Sequence, residues 1–202
     1  MTDRPILFSG PMVRALLDGR KRQTRRIVKL DVPVDSHEVF FWSGEALRRA
    51  GWTNVSEPGL WARRNGRDGY IQHVGRCPYG VPGDRLWVKE THLGGSPGVA
   101  NVIYRADGEV PGVRWRPSIH MPRRASRLTL VLTDIRVERL QDISEADAEA
   151  EGVQDPSLVP ILGAFWSSRD GYARLWNHIN GKGSWEANPW VWAVTFEVER
   201  SS

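Results

Sequence analysis

The sequence predicts a mixed α+β fold, a small mixed β-barrel with short helices on its flank. Strand-like runs outnumber helical ones, and the pieces come in the order β-α-β, then β, β, α, α, β, with no internal repeat. At 202 residues the chain is long for one small barrel and short for two full domains, which predicts a single domain over residues 1–202 that carries insertions. Hydrophobic residues make up 40% and charged residues 26%, an ordinary globular balance that argues against global disorder.

Pro5 to Ser9 reads as a short apolar strand, followed by Gly10-Pro11, where proline suits the first turn of a helix. Met12, Val13, Leu16 and Leu17 then share one helical face, and the helix should stop at Gly19. Ile27-Val28 is expected to begin the next strand. From Asp31 to Pro82 the pattern breaks into Gly, Pro and polar residues around Val39 to Trp42, Leu60 to Ala62 and Tyr70-Ile71, which predicts an insertion of irregular hairpins. Pro82-Gly83-Asp84 signals a turn, and Arg85 to Glu90 leaves it as a strand. A second excursion covers Leu93 to Pro122, with Val102-Ile103-Tyr104 as its expected strand. So the insertions fall at about 31–82 and 93–122.

Arg127 to Leu140 is the longest strand-like run, with Val131, Thr133, Ile135 and Val137 alternating. Ser144-Glu145-Ala146-Asp147 has the form of a capping box, so a short helix should run to about Glu151 and stop at Gly152. Ser167 to Asp170 opens another helix by the same logic, and its Tyr172, Leu175, Trp176 and Ile179 form a stripe expected in the core. Pro189 introduces a closing strand in which Trp192, Val194, Phe196 and Val198 share one face. Of the ten tryptophans, most are expected in the core, since each buries a large area while presenting one donor.

Six of the ten residues from Arg20 to Lys29 are cationic: Arg20, Lys21, Arg22, Arg25, Arg26 and Lys29. Guanidinium groups pair bidentately with phosphate oxygens, so this cluster reads as a phosphate-contacting surface. Cys77 stands alone, which excludes an intrachain disulfide, and no apolar run approaches the ~18 residues of a membrane span. A cytoplasmic location, with no membrane partner, is the expectation. His73 and Cys77 lack the companions of a structural zinc site, and the Gly-rich pieces fit neither a Walker A loop nor a dinucleotide fingerprint. No metal or cofactor is expected.

The segment Gly19-Arg20-Lys21-Arg22-Gln23-Thr24-Arg25-Arg26 resembles the G-x-K-x-x-T-x-R signature that follows the first helix of ASCH domains. Gly83-Asp84 leading into Leu86-Trp87-Val88, the Ile143 to Ala146 helix start and the hydrophobic strand Trp190 to Val198 agree with it in order. The whole is similar to a group of larger phage and prophage ASCH proteins. ASCH domains are related to PUA and YTH modules, so the resemblance implies a PUA-like barrel and a nucleic acid or modified nucleoside as partner. Some compact members remove the acetyl group from N4-acetylcytidine, using a lysine and a threonine from the first motif and a glutamate from the later helix. The resemblance thus implies Lys21, Thr24 and Glu151 as catalytic residues, with Glu149 and Glu145 as competing choices for the carboxylate. Arg26 is implied as a substrate-binding residue, and the motif sits within the cationic run that makes Arg20, Arg22 and Arg25 nucleic-acid contacts. The chain is about twice the compact members' length, and Arg22 and Gln23 replace smaller or apolar residues common there.

Amide hydrolysis needs an activated nucleophile and a proton donor for the leaving amine, which a Lys–Thr pair beside a carboxylate can supply. A lysine acts as a base only when neutral; neighbouring arginines would lower its pKa and Glu151 would oppose them. The rival expectations are a non-catalytic RNA- or DNA-binding module, in which Lys21 and Arg26 hold phosphate, and a ribonuclease-like activity of the same basic cleft.

Overall fold

A computed structural model describes residues 2–29, 36–42, 59–64, 71–94, 101–154 and 166–200. Asp3–Leu7 forms β1, which turns Ile6 inward and leaves Leu7 outside. The Gly10-Pro11 start gives α1 (Gly10–Leu17), which buries Met12, Val13, Ala15 and Leu16. Gly19 then takes φ +72°, the left-handed turn that ends the helix. Next comes β2 (Gln23–Ile27), so the basic run is itself a strand and begins four residues earlier than the Ile27-Val28 start expected. Its residues look too polar for a buried strand because their partners lie elsewhere in the chain.

Further along are β3 (Ser36–Trp42), β4 (Gly59–Arg64), β5 (Ile71–Gly75), β6 (Arg85–Lys89), β7 (His92–Gly94), β8 (Val102–Tyr104) and β9 (Leu128–Arg139). The chain finishes with α2 (Glu145–Ala150), α3 (Ser168–Asn180) and β10 (Trp190–Arg200). Both later helices start as their caps require: the Ser144 hydroxyl accepts from the Asp147 amide and the Ser167 hydroxyl from the Asp170 amide.

The main sheet has the order β1-β6-β9-β10-β2, with β1 and β6 parallel and the other pairs antiparallel. As an inner strand, β10 buries residues of both faces: Val191 and Ala193 on one, Trp192 and Val194 on the other. The fold is therefore mixed α+β, but among the described residues the expected barrel does not close. The edge strands β1 and β2 each use one side for pairing, with β6 and β10, and share no ladder with each other. Arg26 crosses the seam instead, its Nη2 donating to the Leu7 carbonyl at 2.8 Å.

Within the region expected to hold irregular hairpins, the described residues form a three-stranded antiparallel sheet, β3-β4-β5, whose register shifts between Ser36 and Glu38 and between Leu60 and Trp61; it buries Leu60 and Ala62 and sets Phe41 edge-on to Trp192 at 5.9 Å, and Tyr70 lies outside the described residues. In β9 the inward residues are Leu128, Leu130 and Leu132, then Ile135. Thr195 faces Asp134 while Phe196 faces Leu132, so Thr133 is an extra residue that flips the alternation. Finally, of the tryptophans described, Trp176 and Trp192 are fully buried and Trp166 is exposed. Trp87, Trp185 and Trp190 are half-buried beneath cations, with Arg139 lying 4.3 Å from the Trp190 ring centroid. The indole is large enough to cover core and still face a charge; Trp52 lies outside the described residues.

The second excursion carries the expected strand as β8, paired with β7. The lone Cys77 is buried, and burial pushes its thiol up to about 11 from an ordinary 9.0. Sign follows from proton count: above pH 9.0 the unfolded chain has released a proton that the folded protein keeps. Stability is expected to fall across that interval by roughly 2 kcal/mol. Urea unfolding at a series of pH values checks this against Cys77→Ala, in which the slope should flatten; parallel slopes would contradict it.

Candidate functional site

Lys21 sits between the end of α1 and the start of β2, and three backbone hydrogen bonds fix it there. The Arg20 and Lys21 amides both donate to Ala15 O at 2.9 Å, and the Arg22 amide donates to Ala150 O at 2.8 Å. The last of these ties the motif to the end of α2. Gly152 completes the junction: at φ +80°, a Cβ there would stand 3.1 Å from the Ala15 Cβ and 3.2 Å from the Lys21 Cβ. Only glycine lets the chain turn this close to Lys21, and the turn delivers Glu151.

The result is a buried ion pair. Lys21 Nζ donates to Glu151 Oε2 at 2.6 Å and to the Glu151 carbonyl at 2.7 Å, with Lys21 1% and Glu151 4% exposed. Thr24, 2% exposed, lines the same cavity of about 80 Å³. The structure thus brings Lys21, Thr24 and Glu151 to one place. The competing carboxylates are elsewhere: Glu145 is exposed and accepts from the Arg169 amide, and Glu149 is exposed beside Arg20 and Arg22.

The cavity lies at the seam between β1 and β2. Phe8 and Met12 form one wall, β2 another, and α3 contributes Tyr172, Leu175, Trp176, Ile179 and Asn180. Ile179, expected in the core with its stripe, is 59% exposed and lines the cavity one turn past Leu175.

The cationic run divides. Arg25 was expected at a phosphate surface, but its side chain is wholly buried among carboxylates. Its Nη2 lies 2.7 Å from Glu138 and 3.3 Å from Asp147, and its Nη1 lies 3.4 Å from Glu151 Oε1 and 2.5 Å from Gln23 Oε1. Three acidic side chains surround the one guanidinium, so its charge is directed at the protein's own carboxylates. Arg26 lines the cavity, its Cζ 5.3 Å from the Phe8 ring centroid. Arg20 and Arg22 face a separate hollow with Glu149 and Gln154, where Arg20 pairs with Asp18 at 2.6 Å and Arg22 is exposed.

Burial lowers the Lys21 pKa below its ordinary value; Glu151 opposes the shift, and Arg26 and Arg25 reinforce it. For Arg25 burial works against the charge, but Glu151 and Glu138 outweigh it and hold the guanidinium protonated. The Tyr172 phenol is pushed well above its usual range, first by burial and then by Glu151. A lysine eased toward its neutral form beside a hydroxyl and an anion can move a proton to or from a bound molecule.

Local sequence pattern offers no reason to assign Arg25 to the carboxylates or Tyr172 to the cavity. Glu138 and Asp147, the Arg25 partners, lie more than a hundred positions away. Tyr172 reads as one more stripe residue. Among the described residues no helix is long and apolar enough to cross a membrane, and no three His, Cys, Asp or Glu side chains group to hold a metal ion. Compared with protein-family models, with curated proteins and with solved structures, the chain matches none.

Proposed function

We propose that the chain is an ASCH-type, PUA-like domain that takes a modified nucleoside in the seam cavity and hydrolyses the amide of an N4-acylated cytidine. The observation that carries this reading is the buried Lys21–Glu151 pair in the wall of a cavity shared with Thr24. Neutral Lys21 accepts the Thr24 hydroxyl proton as that oxygen adds to the acyl carbon. The ammonium so formed gives the proton to the departing exocyclic N4 as the acyl C–N bond breaks, leaving the free 4-amino group. Water then splits the acyl-threonine, releasing the carboxylic acid and restoring the hydroxyl. Glu151 steadies the charge that Lys21 carries between the two transfers, and Arg26 at the cavity wall meets the ribose or phosphate side of the ligand.

Incubation with a panel of acylated and alkylated nucleosides and with labelled RNA and DNA, followed by mass, is the test. Deacylated cytidine and free acid are expected. Retention of RNA or DNA without product would favour the binding-module reading, and chain cleavage the ribonuclease-like one.

A further inference from the structure

Among the described residues, the indole N–H groups of Trp61 and Trp176 are buried without a hydrogen-bond partner. Trp61 lies on β4 with its ring 4.9 Å from that of His73, outside the wall of the seam cavity. Trp176 belongs to that wall, together with Lys21, Thr24 and Glu151, and is 4% exposed. Its place is held from both sides along α3. The Tyr172 ring lies 6.1 Å away, tilted by 50°, one turn earlier, and Asn180 Nδ2 donates to the Trp176 carbonyl at 3.1 Å one turn later. A buried donor with no acceptor opposes folding, and packing alone does not call for one, since a ring without the N–H fills the same wall. Such a group in the wall of a cavity has its explanation in what the cavity takes.

We propose that Trp176 is a ligand-binding residue of the seam site: its indole N–H donates to a carbonyl that the ligand brings, the O2 of a cytosine base. The assignment rests on the nucleoside reading above. With the acylated N4 at Thr24, the base has two acceptors left, N3 and O2. The indole nitrogen is sealed from solvent, so a slight rotation of its ring and a carbonyl that projects from the pyrimidine bring donor and acceptor together, where the ring nitrogen N3 stays back. Phe8, Tyr172 and Trp176 also give the cavity three aromatic rings, surfaces suited to a flat base. A site that reads O2 in this way rejects a base in which that acceptor is missing, because the N–H is then left unpaired in the complex as well.

The test uses the full chain with indole 15N labels, Trp176→Phe identifying the Trp176 signal and Trp61 serving as the internal control. On saturation with cytidine the Trp176 N–H proton should move downfield while the Trp61 signal stays. Placing 3-benzothienylalanine at 176 exchanges the N–H for sulfur at nearly constant shape. Cytidine should then bind roughly tenfold more weakly, and with N4-acetylcytidine KM should rise by the same factor while kcat holds. 2-Thiocytidine, whose sulfur is the weaker acceptor, should bind the wild type less well than cytidine does, and that difference should shrink in the variant. The variant should melt no lower than the wild type, because the donor it lacks has no partner in the free protein. Equal cytidine affinity in the two proteins, an unmoved Trp176 signal, or a lower melting temperature in the variant overturns the proposal and leaves the nucleoside reading standing. If neither nucleoside binds the wild type at millimolar concentration, the nucleoside reading falls and the proposal with it; binding without deacylation removes the hydrolytic step alone.

Discussion

Lys21→Met is expected to cut the release of product from N4-acylated cytidine by about 10³-fold or more while the protein stays folded. Methionine keeps the unbranched stem against Phe8, whose ring centroid lies 5.7 Å from the Lys21 nitrogen. It also leaves Glu151 with Arg25 as a partner, so the carboxylate is not orphaned. Lys21→Arg, which keeps the charge, is the harsher test of the fold: the site is 1% exposed and a guanidinium must overpack it. Thr24→Val and Glu151→Gln should each lose turnover as well, and the losses should not add, because the groups act as one unit. Single-turnover assays beside thermal melts separate chemistry from folding, and a Lys21→Met protein that still deacylates at the wild-type rate would end the lysine-base mechanism.

The largest effect on stability should come from Arg25→Met. Removing the guanidinium strips the buried positive partner from Glu138, Asp147 and Glu151 at once. Breaking a buried ion pair from one side costs about 3–5 kcal/mol. In a chain of this size that corresponds to a fall in Tm of roughly 10 °C. Arg22→Ala, three positions earlier and exposed, should change stability by less than about 0.5 kcal/mol. Equal melting temperatures for the two variants would show that the carboxylate cage contributes nothing to the fold.

These paired expectations also mark what could be read from the chain. Signals confined to a few neighbouring residues were legible: the Ser144 and Ser167 caps, the Gly19 stop and the β8 strand all act within one turn or one hairpin. The meeting of Lys21 with Glu151 was reachable only through the ASCH resemblance, since the two are 130 positions apart. Arg20, Arg22, Arg25 and Arg26 are alike in sequence yet differ in fate, because each meets whatever β9, α2 or β1 sets opposite it. The Thr133 bulge was hidden for the same reason: an extra residue changes no local preference, only which face each later side chain takes. Tyr172 obeyed its stripe and still reached the cavity, since a pattern that marks the inward face cannot say whether a core or a hollow lies inside.

The seam between β1 and β2 has a consequence for how this site can change. Among the described residues it is bridged by a side-chain bond from Arg26 to the Leu7 carbonyl, while the ladders that hold the two strands pair them with β6 and β10. Around it Leu7, Ile27 and Ile179 are exposed at 44, 37 and 59%. Exchanging those three for larger, smaller or polar side chains breaks no backbone hydrogen bond and opens no core cavity. Selectivity can therefore drift under mutation while the scaffold stays intact. On the hydrolytic reading, directed evolution toward a new acyl group or a new base should begin with Ile27 and Ile179, the two of them that line the cavity, where most of a library will still fold.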